Sequence, residues 1–241
     1  MNKEVVIIHY FGGKFRISDE IVAFLEANRK PNQGFFEPFV GGLNITTKMS
    51  GSRTASDINE YLICLYQALQ QGYELPDHCT KEQYDYIRAH QDEDKALAGF
   101  IGIACSFAGK WWGGYARDSR LTDKGRDHCE VGKRSILKKM ETCQDVEFMS
   151  GSYDEFIPHD MLIYCDPPYQ GTTSYAFDFD HRKFWATMRR WSRNNDVYIS
   201  EFEAPDDFKV VWEKEGRVET RDKDNQRKKK IERIFKYKEG K

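Results

Sequence analysis

The sequence has no run of about 18 consecutive apolar residues, the length a membrane-spanning helix needs, and no basic-then-apolar leader ending in a small-residue cleavage site. Those absences predict a cytoplasmic protein with no membrane partner. Its six cysteines, Cys64, Cys79, Cys105, Cys129, Cys143 and Cys165, form no Cys-x-x-Cys pair, and its histidines complete no zinc spacing. No metal is expected. Charge of one sign is also lacking: the formal net charge is −2, which argues against bulk attraction to nucleic acid but leaves local patches open. One such patch is present, because from Lys110 to Met140 nine Lys/Arg stand against four Asp/Glu. That stretch is a candidate phosphate-facing surface. No internal repeat and no low-complexity linker interrupts the chain.

A chain of 241 residues is long enough for one α/β domain with its own core and a modest insertion, and too short for two full domains. Hydrophobic residues at 39% and charged residues at 32% are ordinary for a soluble globular protein, whereas 14% aromatic is high enough to supply stacking platforms beyond the core. From Ser18 the pattern is helical: Ser18 is placed to cap, Asp19 and Glu20 suit the positive end of the dipole, and Ile21, Val22, Phe24 and Leu25 share a face. Phe35 to Val40 reads as a buried strand running into Gly41 and Gly42, followed by a short helix from Leu43 to Met49. Ala55, Ser56 and Asp57 end a second strand, and Tyr61 to Leu69 continue as an amphipathic helix. Residues 75–149 break this rhythm and read as an inserted, mainly helical module, which divides the remainder into 1–74 and 150–241. Alternation returns with a strand from Met161 to Cys165, a helix around Phe184 to Arg193 and a strand from Val197 to Ser200.

The most informative constellation is Asp166-Pro167-Pro168-Tyr169. It places a carboxylate at the carboxyl end of a predicted parallel strand, where open α/β sheets bind ligands. The prolines fix the turn, so the Asp166 carboxylate and the Pro167 carbonyl can serve as two acceptors for one amino group. An amine donating both protons there would direct its lone pair at a methyl donor, and Tyr169 would stack on the ring that carries it. The ordinary alternative is a proline-terminated surface turn. A second constellation is Glu37-Pro38-Phe39-Val40-Gly41-Gly42 with Asp57 following: small residues let the backbone approach a cofactor, and an acid downstream can take ribose hydroxyls. Asp57 as a helix cap is the competing explanation. Tyr10-Phe11-Gly12-Gly13-Lys14 offers a turn between an aromatic and a cation, and Ser152-Tyr153 either lines an adenine pocket or packs.

In this order, Tyr10 to Lys14, Glu37 to Gly42, Ser56-Asp57-Ile58-Asn59 and Tyr164 to Tyr169 make the chain resemble the Dam-like family of DNA adenine methyltransferases, particularly members carried by phages and prophages. The resemblance spans roughly residues 5 to 212 and extends into Ser106 to Arg117 and Ile199 to Phe208. It implies a Rossmann-like α/β sheet that uses S-adenosylmethionine, releases S-adenosylhomocysteine and needs no metal. By the same resemblance Tyr10 and Lys14 contact the cofactor region, Glu37 and Phe39 belong to the cofactor loop, and Asp57 binds the ribose. Asp166 would orient the target amine and Tyr169 would hold the extruded base. Leu43 stands where many relatives continue with glycine. Glu201-Phe202 differs from the asparagine-containing segment of some relatives and receives no catalytic role.

Adenine in double-stranded DNA must leave the stack before its amine can meet a methyl donor. The insertion is then the expected target-recognition module, in which Lys110, Arg117, Arg120, Lys124 and Arg126 neutralise phosphates or read guanine edges, and Trp111, Trp112 or Tyr115 wedges into the vacated space. Lys228-Lys229-Lys230 reads as a solvated charge run. Another amino acceptor, either a cytosine amine or an RNA adenine, is the nearest rival reading. A non-catalytic nucleic-acid-binding protein on the same fold is the rival from a different class. Whether a cognate restriction endonuclease is a partner stays open.

Overall fold

The computed structural model describes residues 13–116, 127–170, 179–221 and 227–238, of which 216–221 and 227–230 by backbone alone. Among the described residues the strands β1 (Gly34–Glu37), β2 (Arg53–Asp57), β3 (Glu147–Ser150), β4 (Met161–Cys165), β5 (Asp196–Glu201), β6 (Phe208–Arg221) and β7 (Arg227–Tyr237) form a seven-stranded sheet in the order β3-β2-β1-β4-β5-β7-β6. The first five are parallel to one another, whereas β7 runs antiparallel to both β5 and β6. This is the Rossmann-like methyltransferase sheet expected from the sequence, ending in an antiparallel hairpin.

Side chains alternate between the two faces of the parallel strands, both of them buried, and so sort the helices onto two layers. Phe35, Leu162, Tyr164 and Tyr198 pack with Ile21 and Leu25 of α1 (Ser18–Ala27). Phe36, Ile163, Cys165, Val197 and Ile199 pack with Phe184, Trp185, Met188 and Trp191 of α6 (His181–Trp191). Each such fully buried side chain contributes about 1.5–3 kcal/mol relative to exposure, so each strand is tied to both helical layers. A third cluster joins Val40, Leu43 and Ala55 to α2 (Glu60–Gln70), α4 (Lys95–Ala104) and α5 (His128–Met140). Helix α3 (Lys81–Ala89) opens on a capping box made by Thr80 and Gln83. No helix among the described residues is long and apolar enough to cross a membrane.

Several boundaries differ from the sequence expectation. Ser18 does not cap α1: a 3-10 turn over Phe15–Ile17 runs into the helix, and Ser18 Oγ donates to the Phe15 carbonyl at 2.9 Å. Strand β1 stops at Glu37 rather than Val40, since Pro38 has no N–H to offer a neighbour. The expected helix over Leu43 to Met49 is only a 3-10 turn at Thr46–Lys48. Leu43 sits in the left-handed region, at φ 58°, and the β-branched residues Ile45, Thr46 and Thr47 disfavour propagation. Between α2 and β3 the chain is helical, through α3, α4 and α5, but the sheet resumes at Glu147, inside the stretch read as insertion.

Candidate active site

Strand β1 lies between β2 and β4, so the chain leaves it in one direction for β2 and later returns on its other side. That is a topological switch point, and its crevice opens at the carboxyl ends of the strands. Glu37, Asp57 and Asp166 stand at the carboxyl ends of β1, β2 and β4.

Asp166 follows β4 directly, and its carboxylate accepts from Lys14 Nζ at 2.7 Å. The two side chains are 17% and 9% exposed, so the charges face each other largely out of water. Burial pushes the Asp166 carboxyl above the ordinary aspartate value, and the adjacent Lys14 ammonium holds that rise in check. A second carboxylate, Glu232 of β7, lies 3.9 Å from Lys14 and accepts from the Tyr169 hydroxyl at 3.1 Å. The Lys14 ammonium sits over the Tyr169 ring, 4.5 Å from its centroid, and Phe202 meets that ring edge-on at 4.6 Å. Glu201, at the end of β5, accepts from the Gln170 amide at 2.8 Å and the Phe202 amide at 2.6 Å. The diproline corner is therefore pinned on both sides. Asp166 and Tyr169 were read from the sequence, and Lys14 entered by resemblance. Glu232 was not legible, because only the β5–β7 pairing brings it here, and Glu201 has a positioning role that was not assigned to it.

The glycine turn is fixed by Asp57. Gly41 N–H donates to Asp57 Oδ2 at 3.0 Å, and Asn59 N–H donates to Asp57 Oδ1 at 2.9 Å. Burial raises the Asp57 carboxyl above its ordinary value against these bonds. Glu37 is buried, accepts from the Thr46 amide at 2.9 Å and from the Thr46 hydroxyl, and is pushed up to about 8 by burial. Tyr66 donates to the Gly41 carbonyl from α2. Phe39 packs against Tyr153 at 5.3 Å, Phe184 at 5.9 Å and Phe179 at 6.0 Å, which builds an aromatic wall beside the turn. Ser152 Oγ donates to Asp154, away from that wall. Ile58, next to Asp57, is 54% exposed and adds an apolar surface that the sequence reading did not single out.

The insertion residues divide differently from the expectation. Trp112 is buried, donates its indole N–H to Gln91 Oε1 at 2.7 Å and meets Tyr84 edge-on. Trp111 packs on Tyr61, with ring centroids 5.5 Å apart, and Tyr115 donates to the Cys79 carbonyl at 2.7 Å. These three rings hold the inserted helices together. Lys110 is half-buried, and Phe107, in the turn before it, is 67% exposed. Tyr10, Arg117, Arg120, Lys124 and Arg126 lie outside the described residues. Among the described residues no group of three or more His, Cys, Asp or Glu side chains is arranged to hold a metal ion.

Taken together, the fold and site set an acidic diproline corner beside a glycine turn at the switch point of a Rossmann-like sheet. Residues 10–101 match the family described as D12 class N6 adenine-specific DNA methyltransferase. Two proteins called DNA adenine methylase, from Vibrio cholerae serotype O1 strains O395 and N16961, are 28% identical to the chain over 199 residues, covering 73% of it and 69% of each relative. Among solved structures, the rRNA methyltransferase aviRa of Streptomyces viridochromogenes aligns with a TM-score of 0.44 at 10% identity, covering 98% of this chain and 91% of that one. The family match and the two relatives make the chain similar, over those stretches, to N6 adenine-specific DNA methyltransferases.

Proposed function

We propose that this chain transfers a methyl group from S-adenosylmethionine to the exocyclic amino nitrogen of an adenine flipped out of double-stranded DNA. The observation that carries this reading is the half-buried Asp166 carboxylate at the carboxyl end of β4, held by Lys14 at 2.7 Å and followed at once by the diproline. Asp166 and the Pro167 carbonyl accept the two amine protons, which turns the nitrogen lone pair out of conjugation and towards the donor. Positioning and electrostatics then carry the catalysis, and no covalent enzyme intermediate is needed. Tyr169 stacks on the base at about 1–3 kcal/mol, which offsets an unstacking cost of a few kcal/mol.

The residues around the glycine turn fit the cofactor. The Asp57 carboxylate keeps acceptor capacity beyond its bonds to backbone amides, enough for a ribose hydroxyl. Phe39, Tyr153 and Ile58 offer apolar surface for an adenine ring, while Glu37 holds the loop that presents Gly41 and Gly42. When bound, the cofactor supplies an electrophilic methyl on a sulfonium. The helical stretch between α2 and β3 forms the target-recognition module, in which Lys110, Arg117, Arg120, Lys124 and Arg126 meet DNA, and Trp111, Trp112 and Tyr115 support that surface by packing. The test is incubation of unmethylated duplex DNA with labelled S-adenosylmethionine, followed by mapping of the modified bases, with RNA run alongside. Label in N6-methyladenine of DNA is the expected result. Label only in RNA or in cytosine would refute the acceptor, and no label with measurable cofactor binding would favour a non-catalytic binder.

A further inference from the structure

Lys139 lies near the C-terminal end of α5, ninety-seven residues along the chain from the glycine turn, yet its Nζ donates to the Gly42 carbonyl and, at 3.0 Å, to Asn44 Oδ1. Those two acceptors flank Leu43, a fully buried leucine held at φ 58°. A branched side chain disfavours this left-handed backbone, and such a conformation persists only where the surroundings over-determine it. Upstream, Gly41 is already fixed from β2 by Asp57 and from α2 by Tyr66. Lys139 supplies the hold on the downstream side.

An ammonium is costly to bury here. Its surroundings include Leu62, Phe100 and Ile136 and a cavity of about 20 Å³, room for one water. Among the described residues no carboxylate forms an ion pair with it, and both of its acceptors are neutral oxygens. Burial, aided by repulsion from Lys48, pushes its ammonium down to about 8. An apolar side chain of similar length would fill the site without that penalty, and what the lysine adds is its two bonds to the turn.

We propose that Lys139 is a positioning residue for the methyl-transfer reaction: it clamps the left-handed turn at Leu43 and so presents Gly41 and Gly42 to S-adenosylmethionine. The inference rests on the reading of that turn as the cofactor cradle. It also makes α5, the last of the inserted helices, a mechanical part of the cofactor site.

The experiment is calorimetric titration of the full chain with S-adenosylhomocysteine, for the wild type, Lys139→Met, Leu43→Gly and the double variant, with circular dichroism to confirm folding. Loss of bonds from a charged donor weakens Lys139→Met binding about tenfold or more. Its kcat at saturating cofactor stays near that of the wild type. Glycine adopts the left-handed backbone without help, so adding Leu43→Gly restores most of the affinity. Wild-type affinity in Lys139→Met would overturn the clamp while leaving the cofactor reading intact, and so would failure of the double variant to recover. A folded wild type that binds no S-adenosylhomocysteine would sink the cofactor reading itself, and the clamp with it.

Discussion

Replacing Lys14 with methionine removes the cation that faces Asp166 at 2.7 Å while keeping a chain of similar length. In the proposed mechanism Asp166 accepts from the target amine in its ionised form, so activity falls as pH drops through its folded-state value. Burial lifts that value, the Lys14 charge is the largest influence opposing the lift, and Glu232 adds to it. An opposite charge at such a distance lowers an aspartate by about 1–3 pH units, each worth about 1.36 kcal/mol. Lys14→Met therefore moves the acid limb of the kcat/KM profile up by about 1–3 pH units, and within that window the rate at fixed pH falls about tenfold per unit. Glu232→Gln removes a negative neighbour and moves the same limb down, by less. The assay is the initial rate of labelled methyl transfer to unmethylated duplex DNA from about pH 5 to about pH 9 at constant ionic strength. A uniform loss of rate with an unmoved limb in Lys14→Met would refute the electrostatic coupling. Movement of both variants in one direction would refute it equally.

Asp166→Ala should lose at least about a hundredfold in transfer while keeping its far-ultraviolet dichroism, since it removes an acceptor for the reacting amine. Wild-type turnover would remove Asp166 from the mechanism. The Glu37 carboxyl loses its proton near 4.5 when unfolded and near 8 when folded, so the folded state holds the extra proton between those values and stability falls as pH rises. The wild type should lose up to about 4 kcal/mol across that window, whereas Glu37→Gln, which keeps an oxygen for Thr46, should show little slope. Denaturant melts at about pH 5 and about pH 8 decide it, and equal slopes would be the contrary result. Neutralising Arg117 and Arg120 together should make the salt dependence of duplex binding shallower by about 1.8 in log–log slope, and an unchanged slope would take both off the phosphates.

Elements set by local pattern were legible in the sequence. Met161 to Cys165 is a strand over the predicted residues, because an apolar run buried on both faces has little freedom to be anything else. The overreach came where one residue countermands its neighbours: Pro38 ends β1 early, and the left-handed Leu43 prevents a helix that composition alone permits. In the insertion one of Trp111, Trp112 and Tyr115 was expected to wedge into the space a flipped base leaves. Trp112 instead finds Gln91 for its N–H and Tyr84 for its ring, and a long-range partner of that kind leaves no local trace.

The site shows the same division. Asp57, Asp166 and Tyr169 stand within short motifs at strand ends, so residue type and neighbours announced them. Glu232, Glu201 and Lys139 instead hold Tyr169, Gln170 and Gly42, partners that lie sixty-three, thirty-one and ninety-seven positions away. A residue that touches substrate is constrained by chemistry, which repeats in a recognisable form. A residue that holds it in place is constrained only by geometry, and any element that the topology brings near can supply it. Lys139 illustrates the point: with leucine rather than glycine in the left-handed turn at position 43, something must secure that turn, and a donor comes from α5.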